Sequence, residues 1–182
     1  MPIASTDLLF KLSIKTGAAG NAAAQPDPNA SLGTFISTTQ LNGTALNNLF
    51  DNVTGDENAL SEAEYRCIFI HNAHATLTLL APVVWLSAET AGGAVAALSI
   101  DTNPASAIGA PSSTVQAKTV VDENTAPATQ TFSAPITKAT GLALADLPAG
   151  QCRAVWVRRT AANTAAIDAD GATLRVEGDT GA

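Results

Sequence analysis

Tyr65-Arg-Cys-Ile-Phe-Ile-His-Asn, residues 65–72, is the stretch of sequence that decides the fold. Its run of large apolar residues is typical of a strand that is buried on both faces. A second apolar run covers residues 75–87, and Asn72-Ala-His lies between the two runs. This order predicts a β-hairpin, and it is the clearest hairpin signal in the chain.

Shorter strand-like runs occur on both sides of this hairpin, separated by Gly, Pro, Asn and Asp. Residues 3–15 alternate in polarity and place four apolar side chains on one face: Leu8, Phe10, Leu12 and Ile14. Further strand patterns occur at residues 33–41, 94–101, 114–121, 132–137, 152–160 and 172–177. About seven or eight short strands with turns between them predict an all-β fold, a single β-sandwich. Immunoglobulin-like and jelly-roll topologies give the same pattern and both stay open.

The N-terminal region differs from the rest. Residues 17–31 contain no large apolar side chain, and Pro26 and Pro28 interrupt any strand pairing. We therefore expect residues 1–33 to form a strand and an extended arm or loop, and residues 34–182 to form the sandwich. Residues 44–50 place apolar side chains at helical spacing, which predicts one or two helical turns there.

Composition excludes several classes of partner. Charged residues make up 14% of the chain and the formal net charge is −7. A chain with no basic patch does not neutralise phosphates, so we expect neither nucleic acid nor an anionic membrane as partner. The apolar run at residues 76–87 is too short to span a bilayer. Residues 1–15 carry charges within their apolar run, so we expect no signal peptide and no export.

The chain offers few residues for catalysis or metal binding, with two histidines and two cysteines in 182 residues. His71 and His74 flank the predicted hairpin turn, but zinc needs three or four ligands and no third lies nearby in sequence. We interpret both histidines as turn residues that bond to local backbone. No nucleophile, phosphate-loop or metalloprotease motif occurs, so we predict no enzyme activity and no cofactor.

Cys67 and Cys152 lie in predicted strands, and Trp85 lies between them in sequence. A pair of cysteines around a tryptophan is also the pattern of an immunoglobulin-like disulfide, but these spacings are stretched and Gly150 replaces the tyrosine expected two residues before the second cysteine. Because we expect no export, we predict two reduced, buried thiols.

Two charged groups are candidate contacts for a partner. Residues 51–64 are acidic but lack the spacing of a calcium-binding loop, so we expect a solvated loop whose Asp56 and Glu57 face a basic partner surface. Arg158 and Arg159 follow Trp156 near a strand end. Since neighbouring residues of a strand point to opposite faces, we expect one arginine to point outward and to pair with a partner's carboxylate.

Two segments carry a resemblance. One is Asn48-Leu-Phe-Asp-Asn-Val-Thr-Gly-Asp-Glu-Asn, leading to Glu64-Tyr-Arg-Cys-Ile-Phe-Ile-His-Asn. The other is Asp146-Leu-Pro-Ala-Gly-Gln-Cys-Arg-Ala-Val-Trp-Val-Arg-Arg-Thr. Both resemble segments of small β-sandwich virion proteins of tailed bacteriophages, which are made in the bacterial cytoplasm and added to heads or tails.

This resemblance implies a structural protein of the virion, bound as a decoration or cement protein to the major capsid protein and to neighbouring copies of itself. The implied state is a homo-oligomer, and a trimer suits a threefold site. A tail or neck component and a carbohydrate-binding or adhesin-like module are the alternatives. We expect the partner contacts to lie at these residues: Leu8, Phe10, Pro26, Pro28, Asp56, Glu57, Arg158 and Arg159.

Overall fold

A computed structural model describes residues 2–19 and 23–180 of the chain. The helical part comprises α1 (Gly55–Leu60) and three short 3-10 helices at Ser5–Asp7, Pro28–Ala30 and Lys138–Thr140. The strands are β1 (Leu8–Ile14), β2 (Phe35–Gln40), β3 (Ala63–Asn72), β4 (Leu79–Glu89), β5 (Val95–Ile100), β6 (Ser106–Ala107), β7 (Leu142–Ala143), β8 (Gln151–Thr160) and β9 (Ala172–Thr180).

These strands form two antiparallel sheets. The large sheet has the order β2-β1-β3-β8-β5, and β6 also pairs with β8. The small sheet has the order β7-β4-β9. The sheets pack face to face, which confirms the all-β, sandwich-like fold predicted from the strand pattern.

The main core lies between the two sheets. Alternate residues of β3 and β8 point into it, because successive side chains of a strand face opposite sides. Leu86 on β4 and Leu98 on β5 are 2% and 0% exposed. The buried members of this core are Leu12, Leu49, Ile68, Ile70, Leu79, Val84, Leu86, Ala96, Leu98, Leu144, Leu147, Val155 and Val157.

Loops rather than a sheet cover the opposite face of the large sheet. We call this covering the loop layer, and it consists of residues 28–34 and 101–132. Its second core contains Leu32, Ile36, Cys67, Phe69, Ala117, Val120, Cys152, Ala154 and Trp156. The loops approach closely at Gly33, where φ is +96° and an added Cβ would lie 1.8 Å from the carbonyl oxygen of Lys118. The prediction that residues 65–72 are buried on both faces is thus confirmed at Cys67 and Ile68.

The predicted hairpin between residues 65–72 and 75–87 is wrong. β3 pairs with β1 and β8, whereas β4 pairs with β7 and β9, so the connection crosses from one sheet to the other. The turn is held by Asn72, whose side-chain amide donates to the carbonyl oxygens of Leu77 and Leu147 at 2.8 and 2.9 Å. The sequence shows a turn there, but the partners of each strand lie far away in the chain.

The strand predicted within residues 3–15 is present as β1. β1 lies inside the large sheet, with β2 on one side and β3 on the other. A bulge between Lys11 and Ser13 shifts the strand, so Ile14 joins a small satellite cluster with Phe35 while Phe10 packs on the main core. Within the predicted loop, residues 20–22 lie outside the described residues, as do Met1 and residues 181–182 at the ends of the two predicted segments.

Three local predictions are also wrong. Residues 44–50 form turns and bends instead of helical turns. Residues 114–121 and 132–137 are not strands, although each makes one isolated bridge, Gly33 with Thr119 and Leu98 with Ser133. The bridge of Leu98 with Ser133 helps to connect the two sheets, because Leu86 of β4 donates its N–H to the carbonyl of the nearby Pro135 at 2.8 Å. Residues 133–135 therefore join the edge of the large sheet to the small sheet.

Candidate functional site

Three charged side chains meet at the end of the main core nearest α1. Arg159 of β8 donates through Nε to the Glu64 carboxylate of β3 at 2.6 Å, and its Nη2 lies 3.3 Å from Oδ1 of Asp51. Its Nη1 donates to the carbonyl of Asp51. The side chains of Arg159 and Glu64 are 13% and 4% exposed. Glu64 and Arg159 are directly opposed on paired strands, which explains why they meet.

A second arginine extends this group. Arg66 is fully buried, and its Nη2 bonds Glu123 at 2.5 Å and Asn29 at 3.0 Å. The guanidinium groups of Arg66 and Arg159 lie 5.1 and 4.9 Å from the ring centre of Phe50. Both guanidinium groups therefore lie within cation–π distance of one ring. We call the whole group the arginine cluster: Phe50, Asp51, Glu64, Arg66, Glu123 and Arg159.

Glu64, Arg66 and Arg159 are the buried members of the arginine cluster, whereas Asp51 and Glu123 lie at its solvent-facing rim. Burial raises the pKa of the Glu64 carboxyl above its usual value, and the hydrogen bond and charge of Arg159 oppose that rise. Removing one member of a buried ion group leaves an unpaired charge, so the cluster fixes the positions of β3, β8 and the loop around Asp51. The expectation that residues 51–64 form a solvated loop holds in part: residues 51–63 are exposed or half-buried, but Gly55–Leu60 is helical and Glu64 is buried.

The predicted acidic contacts lie on α1. Thr54 and Glu57 form a capping box, in which the Thr54 hydroxyl accepts from the N–H of Glu57 and the Glu57 carboxylate accepts from the N–H of Thr54. The Glu57 carboxylate therefore caps the N-terminus of its own helix. Asp56 is exposed, and it is the member of the predicted pair that faces solvent.

The two adjacent arginines point to opposite faces of β8, as strand geometry predicts. Arg159 belongs to the arginine cluster, and its guanidinium group bonds Glu64 and Asp51 of the same chain. Arg158 lies with its guanidinium 5.4 Å from the ring centre of Phe132, and that ring lies 5.4 Å from the ring of Tyr65. Nε of Arg158 is buried without a hydrogen-bond partner. Arg158 is thus half-buried under an aromatic ring of the loop layer.

The apolar and proline contacts predicted for a partner occupy two places. Leu8 and Phe10 are half-buried on β1 and pack on the main core, so they are not exposed on an arm. Pro26 and Pro28 line a shallow groove of about 230 Å³ formed with residues 39–48. Leu46 also lines this groove and is 74% exposed. We call it the proline groove, and sequence reasoning did not identify Leu46, which lies in an irregular loop.

Both thiols are free and buried, which confirms the prediction of two unpaired cysteines. Cys67 lies opposite Trp156, and Cys152 lies opposite His71. Burial raises the pKa of Cys152 to about 12 and raises that of Cys67 well above its usual value. The reactive species of a cysteine is the thiolate, so both side chains are chemically inert at neutral pH.

The two histidines lie in different environments. His74 lies in the turn after β3 and accepts through Nδ1 from the N–H groups of Thr76 and Leu77 at 3.2 and 3.0 Å. His71 is buried on β3 facing the loop layer, and burial lowers its pKa to about 4. Within residues 2–19 and 23–180, no group of three or more His, Cys, Asp or Glu side chains is placed to hold a metal ion.

Large apolar side chains are exposed at several loops and strand ends. The most exposed are Leu46, Leu60, Val121 and Ile136, and each is at least 66% exposed. In the described part of the chain, no helix is long and apolar enough to cross a membrane.

Comparison of the chain with family models, with curated proteins and with solved structures finds no match.

Proposed function

We propose that this chain is a structural protein of a virus particle, bound to the outer shell of a bacteriophage head and stabilising it through protein–protein contacts. The observation that carries this proposal is the division between the interior, which holds thiols and charged groups, and the surface, which exposes large apolar side chains. The thiols of Cys67 and Cys152 and the charged groups of Glu64 and Arg66 are buried, whereas Leu46 and Val121 are exposed. Such a surface favours contacts with other proteins over chemistry on a small molecule.

The low charge of the surface supports the same proposal. Charged residues are only 14% of the sequence, and several of them are used inside the arginine cluster. The remaining surface is largely small and polar. A decoration protein needs only modest affinity for each contact, because many copies bind one shell.

The proline groove is the contact surface that we assign to the shell. It combines two prolines, which were expected to contact the partner, with an exposed leucine and several side-chain amides. Prolines restrict the unfolded as well as the bound chain, so ordering the groove on binding loses little entropy.

A carbohydrate-binding role has less support. Sugar recognition needs exposed aromatic rings, but Trp156 is fully buried and Trp85 is 6% exposed. Tyr65 packs against Phe132. Neither tryptophan is available to stack on a sugar ring, so the tail or neck component remains the second candidate.

The first test is quantitative mass spectrometry of density-purified phage particles from a culture that expresses this chain. A copy number near that of the major shell protein supports head decoration. A few copies per particle overturn the head assignment in favour of the tail or neck. Absence from particles overturns both.

The second test concerns the proline groove. We expect Leu46→Asp to reduce the number of copies per particle strongly, because it places a charge in the contact. Val121→Asp is the matched control, since Val121 is 79% exposed and lies outside the groove. Equal copy numbers for the two variants would overturn the assignment of the groove while leaving the virion role to the first test.

A further inference from the structure

β9 is an edge strand whose outer side has no strand partner in residues 2–19 and 23–180. It pairs with β4 on one side, and no backbone hydrogen bond joins its other side to the described chain. Near the end of the strand, the Thr180 hydroxyl accepts from the N–H of Ile3 at 3.3 Å. The strand is nine residues long. A free edge of this length is a template for another strand.

The free backbone groups of β9 are identified by the bonds of β4. Leu86 donates its N–H to Pro135, away from β9, and Leu86 lies opposite Leu174. This is therefore a non-hydrogen-bonded pair of the antiparallel ladder, and the N–H and C=O of Leu174 point to the free edge. By alternation along the strand, the same holds for Val176 and Gly178.

The edge lacks two of the usual devices that prevent pairing, a proline or lysine and a bulge. β9 contains neither proline nor lysine. Its pairing with β4 shows two register shifts, between Leu80 and Val83 and between Leu86 and Ala88, and both extra residues lie in β4. β9 itself is regular, so its outer edge remains able to accept a strand.

We propose that this edge binds β9 of a second copy of the chain, antiparallel and about a twofold axis at Val176. In that register Leu174 faces Gly178 of the second copy, and Val176 faces its own equivalent. These pairs form about six backbone hydrogen bonds, two for each of three hydrogen-bonded pairs.

Charge selects this register over its neighbours. With the axis at Val176, Arg175 of each copy lies opposite Glu177 of the other, and nine residues overlap along the full strand. Moving the axis to residue 175 opposes two arginines. Moving it to residue 177 pairs Arg175 with Asp179 but adds the repulsion of two opposed glutamates. An axis at residue 178 brings Glu177 opposite Asp179. Opposite charges directly across a strand pair stabilise it and like charges destabilise it.

The other contacts of these side chains are compatible with the pairing. Glu177 also forms an ion pair with Lys138 at 3.2 Å, and both side chains are about half exposed. The side chains of Leu174 and Val176 are half-buried against the main core. A second β9 would extend the small sheet and cover their exposed parts. This twofold pairing gives a dimer, unlike the trimer that the resemblance implies, and it does not rest on the proposed virion function.

The test is sedimentation equilibrium of the purified chain and three variants: Arg175→Glu, Glu177→Arg and the double exchange of both. We expect a dimer for the natural chain. Each single reversal replaces two attractions by two repulsions and raises the dimer dissociation constant about tenfold or more. The double exchange restores the opposed charges and the dimer. Asp168→Arg, at an exposed residue in the turn before β9, is the control for reversing an acidic charge.

Hydrogen exchange supplies a second measurement on the natural chain. In the dimer, the amides of Leu174, Val176 and Gly178 become protected, and their protection rises with concentration. A monomer at all concentrations overturns the proposal, as does a trimer. Equal dissociation constants for the natural chain and both single variants also overturn it. So does a folded double variant that fails to dimerise.

Discussion

The two faces of the large sheet are buried by different means. On one face, the small sheet supplies aliphatic side chains such as Leu86 and Val84. On the other, the loop layer supplies buried polar groups as well as apolar ones. Asp101 is fully buried there and accepts from Nε1 of Trp156 at 2.7 Å and from the N–H groups of Lys118 and Asn103 at 2.8 Å.

More of these polar contacts occur where the loops cross. The Ser31 hydroxyl donates to the carbonyl of Cys67 at 2.6 Å and accepts from the N–H of Ser13 at 2.8 Å. Gln116 accepts from the N–H of Ile36 at 3.0 Å. Loops have backbone groups without ladder partners, so burying them requires individual side chains to satisfy those groups. On the sheet-covered face, stability depends on the total apolar volume that is buried. On the loop-covered face, it depends on the hydrogen bonds of single polar side chains.

The largest expected effect is that of Asp101→Ala on the loop-covered face. It leaves the buried indole N–H of Trp156 and two half-buried backbone N–H groups without an acceptor, and we expect the free energy of unfolding to fall by about 4 kcal/mol. Urea unfolding followed by tryptophan fluorescence measures this loss. Asp122→Ala removes an exposed carboxylate from the same layer and should change stability by less than about 0.5 kcal/mol. A loss below about 1 kcal/mol for Asp101→Ala would contradict the dependence on single polar groups.

Truncation on the sheet-covered face should have a smaller effect. Ile68 is fully buried in the main core. We expect Ile68→Ala to lower the free energy of unfolding by about 3 kcal/mol and Ile68→Val by about 1 kcal/mol, since the loss follows the volume removed. The same urea titrations provide the measurement. If Ile68→Ala were more destabilising than Asp101→Ala, the order of the two faces would be reversed.

We expect His71, on the loop-covered face, to make the free energy of unfolding depend on pH. Its pKa is lowered from 6.5 to about 4, so the unfolded chain binds a proton in this interval that the folded chain does not. The stabilisation is complete above pH 6.5 and is lost as the pH falls toward 4. We expect the difference in unfolding free energy between the natural chain and His71→Gln to fall by about 2 kcal/mol from pH 7 to pH 5.

Urea unfolding at pH 7 and pH 5 measures this difference. The raised pKa of Glu64 acts in the opposite direction, but it is common to both proteins and cancels. An identical pH dependence for the two proteins would show that the imidazole of His71 is accessible to protons in the folded state.

The sequence predicted the parts of the fold that have a regular pattern. β3 and β8 were identified because strands buried on both faces give continuous apolar runs. β5 and β9 were identified because turn residues mark both of their ends. The partners of β3 were not predictable, since periodicity does not show which strands pair. The loop layer has no period at all, because Asp101 and Gln116 are buried polar residues among exposed ones.

The candidate sites show the same division. The alternation of faces on β8 was enough to predict that Arg158 and Arg159 diverge. It did not show that Arg159 meets Glu64, although a glutamate and an arginine at alternate positions of a buried strand, Glu64 and Arg66, are a signal of an internal ion group. The positions of Pro26 and Leu46 in one groove depend on how two irregular loops fold together, which no local pattern encodes.

The place of β8 in the large sheet has a consequence for synthesis of the chain. β8 lies between β3 and β5, yet it is the last strand of that sheet in sequence. While the chain grows on the ribosome, β3 and β5 lack the strand that joins them until residues 151–160 emerge. Because this distant pairing must wait for β8, the large sheet is completed only after residues 151–160 have left the ribosome, and apolar edges stay open until then.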